Sequence, residues 1–127
     1  MAITVLIVDD SKLARIVIGN KVAALQPDWI RVEAGDAAQA LAMVAERKID
    51  LVLLDFNMPG KNGLELAADL RALHPAMPIA VITANVQEEI IAHARAVNAA
   101  FVAKPVTEEG LSGFIAGAAL RLRAAYT

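Results

Sequence analysis

Five rounds in which a short aliphatic run gives way to a longer stretch of helical periodicity predict an α/β chain built on a parallel sheet. Leu51-Val52-Leu53-Leu54 and Pro78-Ile79-Ala80-Val81-Ile82 are apolar without a break, the pattern of strands covered on both faces. Connections between the runs are short, and no linker or low-complexity segment interrupts them, so residues 1–127 read as one domain. Together these observations predict a doubly wound (βα)5 architecture with helices on both faces of the sheet.

The β-branched run Ile3 to Val8 is strand one. Ser11, after Asp9-Asp10, caps helix one, whose apolar positions Ala14, Val17, Ile18, Val22 and Leu25 recur at helical spacing until Pro27-Asp28. Residues 29–34 alternate well enough for strand two, with one face partly solvated. Gly35 turns the chain, and Asp36-Ala37-Ala38-Gln39 has the form of a capping box. Helix two then carries Ala40, Leu41, Val44 and Ala45, and Arg47-Lys48 suit its C-terminus. Strand three ends at Asp55, and Met58-Pro59-Gly60 turns the chain away. Asn62 caps helix three (Leu64, Ala67, Ala68, Leu70, Leu73), which His74-Pro75 stops. Strand four ends at Thr83-Ala84, and Asn85 with Glu88 caps helix four (Val86, Ile90, Ala94, Val97). Residues 99–103 make strand five, ending at Lys104-Pro105. Thr107 with Glu108-Glu109 starts helix five on Leu111, Phe114, Ile115, Ala118 and Leu122. Gly110, Gly113 and Gly117 in that helix cost about 1 kcal/mol each against Ala if interior, and read as fraying rather than as a helix-docking stripe. Right-handed crossovers leave the flavodoxin-like strand order 2-1-3-4-5 as the natural one for five strands.

A net charge of −2 and the lack of any basic run argue against nucleic-acid binding. With no cysteine there are no disulfides and no thiolate metal sites. The opening Met1 to Val8 is apolar, but no basic residues precede it and Asp9-Asp10 ends it too soon for a signal peptide or a membrane span. The expectation is a cytoplasmic protein without membrane association, monomeric or weakly dimeric.

In a parallel sheet every strand's carboxyl end lies on one edge, where open α/β sheets place their ligand sites. Asp9 and Asp10 follow strand one, Asp55 ends strand three, Thr83 ends strand four and Lys104 follows strand five. Strands one and three are neighbours at the topological switch point, so three carboxylates converge there with a single ammonium. Like charges this close need compensation, and a hard divalent cation supplies it. Mg²⁺ is the best fit, since it takes one or two carboxylates, keeps several waters and leaves room for a phosphate oxygen, with Mn²⁺ as the alternative. No His or Cys lies near these strand ends to favour zinc or copper. An Asp carboxylate can attack phosphorus, and a metal with a nearby Lys then offsets charge on the phosphoryl group, to which the Thr83 hydroxyl can donate.

Asp9-Asp10, the stretch Leu53-Leu54-Asp55-Phe56-Asn57-Met58-Pro59-Gly60, Thr83-Ala84 and Lys104-Pro105, in this order and each at a strand end, resemble the receiver domain of the bacterial response regulators. The stand-alone chemotaxis type is the nearest in form, and the resemblance covers essentially the whole chain. It implies that Asp55 accepts a phosphoryl group from a phosphohistidine on a histidine kinase or histidine phosphotransfer protein. The chain would then be a switch in a two-component phosphorelay that hydrolyses its own aspartyl phosphate, and not a turnover enzyme. It implies that Asp10 and Asp55 ligate Mg²⁺ with the backbone carbonyl of Asn57, Asp9 acting directly or through water. Lys104 would pair with the phosphoryl oxygens, Thr83 and Phe101 would switch in step, and the Lys104-Pro105 bond would be cis. Asn57 and Asn85 would tune the lifetime of the phosphoryl group. The readout would lie on helix four, strand five and helix five, facing a downstream protein the sequence does not identify.

Each of these residues has an ordinary reading when taken alone. Asp9-Asp10 and Asp55 serve as turn residues, Thr83 as a strand-end hydroxyl and Lys104 as a solvated charge, and their shared edge reverses that reading; Phe101, an aromatic in a short strand, reads as core on its own and as a switch only through the resemblance. A metal-dependent phosphatase with a nucleophilic Asp wants a second acid two residues on, where Ser11 and Asn57 stand instead. The remaining alternative is a receiver-like interaction module without phosphorylation, against which the intact acids, Thr83 and Lys104 argue. His74 and His93 read as surface residues, and Ile16 and Ile91 as surplus apolar positions.

Overall fold

The computed structural model describes residues 2–125; Met1, Tyr126 and Thr127 lie outside them. Strands and helices alternate as β1 (Thr4–Val8), α1 (Lys12–Leu25), β2 (Ile30–Ala34), α2 (Ala37–Glu46), β3 (Leu51–Asp55), α3 (Gly63–Leu73), β4 (Ile79–Thr83), α4 (Glu88–Ala96), β5 (Ala100–Ala103) and α5 (Glu108–Ala125). The strands form one parallel sheet in the order β2-β1-β3-β4-β5, the flavodoxin-like order expected.

Burial follows position in the sheet. The three inner strands are buried at every residue, which is why their sequences are unbroken apolar runs, whereas β2 at one edge keeps most of its residues exposed. The pleat sends alternate residues to opposite faces. Val5, Ile7, Leu53 and Ile82 pack with Ile18 and Val22 of α1 and with Leu111 and Ile115 of α5. Leu6, Val8, Leu54 and Val81 pack with Ala40 and Val44 of α2, Leu66 and Leu70 of α3, and Ala94 of α4.

Helix termini show what the chain's polar residues do. Ser11 Oγ accepts the Ala14 amide at 3.2 Å, and Thr107 Oγ1 accepts the Gly110 amide at 2.9 Å, each capping as the sequence predicts. Asn62 and Glu65 form a full reciprocal box at the start of α3. At α2 the box is open: Asp36 Oδ1 takes the Gln39 amide, but the Gln39 side chain turns to the Gly35 amide instead.

Several expected positions are corrected. Asn85 does not cap α4; its Oδ1 accepts the Gln87 amide at 3.1 Å while its own amide goes to Thr83 Oγ1. These two successive side-chain turns delay the helix to Glu88, and Gln87 caps it without a side-chain bond, leaving Val86 before the helix and 61% exposed. In α3 the buried set is Gly63, Leu66, Ala67 and Leu70, while Ala68 and Leu73 face out, because Leu66 and Leu70 lie one turn apart over the sheet. In α1, Val17 is exposed, and the helix approaches the sheet through Ile18, Gly19 and Val22. In α2, Ala37 is buried and Ala45 is not. Gly113 and Gly117 of α5 are exposed with open space where a Cβ would stand, so no neighbouring helix requires them.

Candidate functional site

The pairing of β1 with β3 runs up to Val8 opposite Leu54, so the next residues, Asp9 and Asp55, emerge side by side. Asp55 pairs with Ile82, and Thr83 with Ala103, which brings Thr83 and Lys104 to the same edge. The carboxylates of Asp9, Asp10 and Asp55 offer oxygens that all lie within 4.8 Å of one another. Asp9 and Asp55 are 2% and 3% exposed, and Asp10 stands at the surface.

Compensation for this charge is incomplete. Asp9 Oδ1 accepts the Ser11 amide at 2.9 Å, but its Oδ2 is buried with no hydrogen-bond partner. Lys104 Nζ lies 2.8 Å from Asp55 Oδ1, yet that oxygen accepts no hydrogen bond of ordinary geometry, so the pair is a charge contact across the pocket. Burial pushes the Asp9 carboxyl above its usual value of 3.8; the Ser11 amide opposes this, the neighbouring Asp55 charge adds to it, and Lys104 opposes it. A hard divalent cation with oxygen ligands fits such a donor set: three carboxylates, an orphaned buried oxygen and one ammonium.

Thr83 is fully buried, and its Oγ1 accepts the Asn85 amide at 3.0 Å, which leaves the hydroxyl proton free to donate elsewhere. The Lys104 amide donates to the Thr83 carbonyl at 3.0 Å, tying the two residues together through the main chain. Phe101, opposite Val81, is partly buried and shares a sheet face with Thr83 two residues further on. The Lys104-Pro105 bond is cis, and Asn57 sits exposed in the loop after Asp55.

Two contributors have no motif in the sequence. Gly63 opens α3 where a Cβ would come within 2.5 Å of the Asp55 carbonyl oxygen and 2.7 Å of Phe56 Cα, and its amide donates to the Phe56 carbonyl at 2.9 Å. The helix therefore approaches the acceptor loop as closely as glycine allows. The available signal is a glycine in a first helical turn that already has a strong cap. Arg15 of α1 spans two strand ends, donating from Nη1 to the Asp9 carbonyl at 2.6 Å and from Nε to Glu33 Oε1 at 2.8 Å.

Comparison with known proteins decides the family. The model of the response regulator receiver domain matches residues 5–116. The chain belongs to that family. As a receiver domain it is a component of two-component systems, in which such domains are phosphorylated on Asp by histidine kinases and bind Mg²⁺ at their acidic pocket. Receiver domains are signalling switches and generally not turnover enzymes. The sensor histidine kinase AruS of Pseudomonas aeruginosa is 41% identical over 95 residues, 71% of this chain and 9% of the kinase. The phosphate regulon transcriptional regulatory protein PhoB of the same organism is 40% identical over 88 residues, 68% of this chain and 38% of the regulator. The receiver thus spans well under half the length of either relative. The chemotaxis protein CheY4 of Vibrio cholerae superposes with a TM-score of 0.83 at 26% identity, covering 93% of this chain and 99% of that one. Among the described residues no helix of the receiver is long and apolar enough to cross a membrane.

Proposed function

We propose that Asp55 is the phosphoryl acceptor of this receiver and that the domain is a phosphorylation switch acting through a partner protein. The observation that carries this reading is the position of the Asp55 carboxylate, buried at the end of a central strand with Lys104 Nζ 2.8 Å away and the Asp9 and Asp10 carboxylates beside it. An Asp55 oxygen bonds to phosphorus as the P–N bond of the donor's phosphohistidine breaks, and the electron pair returns to the imidazole nitrogen. Lys104 then pairs with the phosphoryl oxygens, and the Thr83 hydroxyl donates to one of them. Asp10, Asp55 and the Asn57 carbonyl would hold Mg²⁺, with Asp9 acting directly or through water. When bound, the ion neutralises the carboxylates and the transferring oxygens.

Thr83 and Phe101 lie on one sheet face, diagonal across β4 and β5, so movement of Thr83 toward the acceptor alters the space available to Phe101. That supports a readout on α4, β5 and α5. An apolar groove of about 320 Å³ along Leu13, Val17, Pro105 and Val106 opens beside Asp9 and Lys104. It suits the seating of the phosphohistidine-bearing protein, since Leu13 and Val17 are large apolar side chains left exposed.

Intact mass after treatment with acetyl phosphate and Mg²⁺ tests the assignment. The expected result is a gain of one phosphoryl group by the wild type, lost on chelation of the metal and absent in Asp55→Asn. A wild-type chain that never gains the group would favour the alternative, an interaction module that works through constitutive contacts.

A further inference from the structure

At the edge of the sheet opposite the carboxylates, three arginines line one cavity of about 470 Å³: Arg71 in the last turn of α3, Arg95 in the last turn of α4, and Arg121 of α5. The charge of Arg71 has a structural explanation. It donates to the carbonyls of Val97, His74, Pro75, Met77 and Asn98 at 2.6–3.2 Å, closing the ends of two helices where unpaired carbonyls collect. Arg95 sits in the last turn of α4, where a cation suits the helix end, and Arg121 stands exposed on α5. Among the described residues neither guanidinium makes a hydrogen bond or has a carboxylate at ion-pair distance, and no acid lines the cavity. Burial, and less strongly the charge of Arg121, lowers the pKa of Arg71. Both Arg95 and Arg121 are exposed, so the gathering offers a patch of positive charge to an anion from solution.

We propose that this cavity binds the phosphate group of a small molecule, with Arg95 and Arg121 as its ligands. Guanidinium groups present paired N–H donors that match a phosphate's oxygens. The walls supplied by Ile79, Ala100 and Phe114 offer apolar surface for an organic body, and the volume falls in the range of small-molecule sites. Binding here is independent of the role assigned to Asp55.

The test is titration of the full chain, free of divalent cations and at constant ionic strength, with inorganic phosphate, adenosine 5′-monophosphate and adenosine, followed by backbone amide NMR. Saturable shifts centred on Asn98, Ala99 and Ala100 are expected with both phosphate-bearing probes and not with adenosine. Tighter binding of the nucleotide would place an organic body against the apolar walls, and equal binding would mark a site for the free oxyanion; either supports the proposal. Arg95→Gln and Arg121→Gln should each weaken binding about ten-fold, the loss of roughly one charge-assisted hydrogen bond. Arg123→Gln, outside the cavity, should leave it unchanged, as should Asp55→Asn. Shifts that do not saturate, or that Arg123→Gln weakens as much as Arg121→Gln, overturn the proposal and indicate diffuse charge screening.

Discussion

At the carboxyl edge of the sheet three carboxylates share one ammonium and Asp9 keeps a buried oxygen without a partner; at the amino edge the guanidinium of Arg71 meets five backbone carbonyls. The two edges belong to the same strands, but loops at the carboxyl edge run from strand to helix and those at the amino edge from helix to strand. What separates Arg71 from Asp9 is whether its charge is matched inside the chain. Where it is, as around Arg71, the groups hold the frame; where it is not, as around Asp9, the chain depends on something brought from outside.

Removing the match at the amino edge should have the largest effect. Arg71→Ala strips the donors from five carbonyls and should cost about 3 kcal/mol, read as a lowered urea midpoint, while Mg²⁺ affinity stays at the wild-type value. If metal binding falls along with stability, the edges are not independent. Next comes Gly63→Ala, which forces a methyl group against the Asp55 carbonyl and should cost about 2 kcal/mol. Unlike the Arg71 change, this one should also weaken Mg²⁺ binding, because the acceptor loop must move to make room.

The third change works at the carboxyl edge and should raise stability. Asp9→Asn keeps the acceptor for the Ser11 amide and removes a charge that burial disfavours, so the metal-free protein should gain about 1 kcal/mol at neutral pH. The sign with pH is fixed by the raised Asp9 pKa. The folded chain binds this proton more readily than the unfolded one, so the variant's advantage is complete above the folded value and disappears as pH falls through it toward 3.8. Thermal melts of both proteins across that window give the check; an advantage that persists unchanged at low pH points to packing rather than charge. The smallest effect is on neutral ground. Gly113→Ala should stabilise by about 0.5–1 kcal/mol without altering either edge, since the added methyl meets nothing within 4 Å.

The strand runs and their order were readable because inner strands of a parallel sheet demand continuous apolar sequence, and β3 and β4 supply it. Topology then carried Asp9, Asp10, Asp55, Thr83 and Lys104 to one edge without any knowledge of contacts. Helix faces were harder. An Ala-rich helix presents a broad apolar arc with no sharp border, so Ala68 and Leu73 were as eligible for burial as Leu66. Arg15 and Arg71 left no trace, because most of their acceptors are main-chain carbonyls, Asp9 for one and Val97 for the other, and a carbonyl has no letter in the sequence. Gly63 is an intermediate case, visible as an odd choice for a helix start but silent about the backbone it must clear.

The bond from the Asn85 amide to Thr83 Oγ1 fastens the approach to α4 to a single side-chain oxygen. Under the proposed mechanism, rotation of that hydroxyl toward a phosphoryl group sets the Asn85 amide loose, so the message would leave the pocket as a freed main-chain hydrogen. Faster deuterium uptake at Asn85 in the phosphorylated protein would be the first visible sign of its departure.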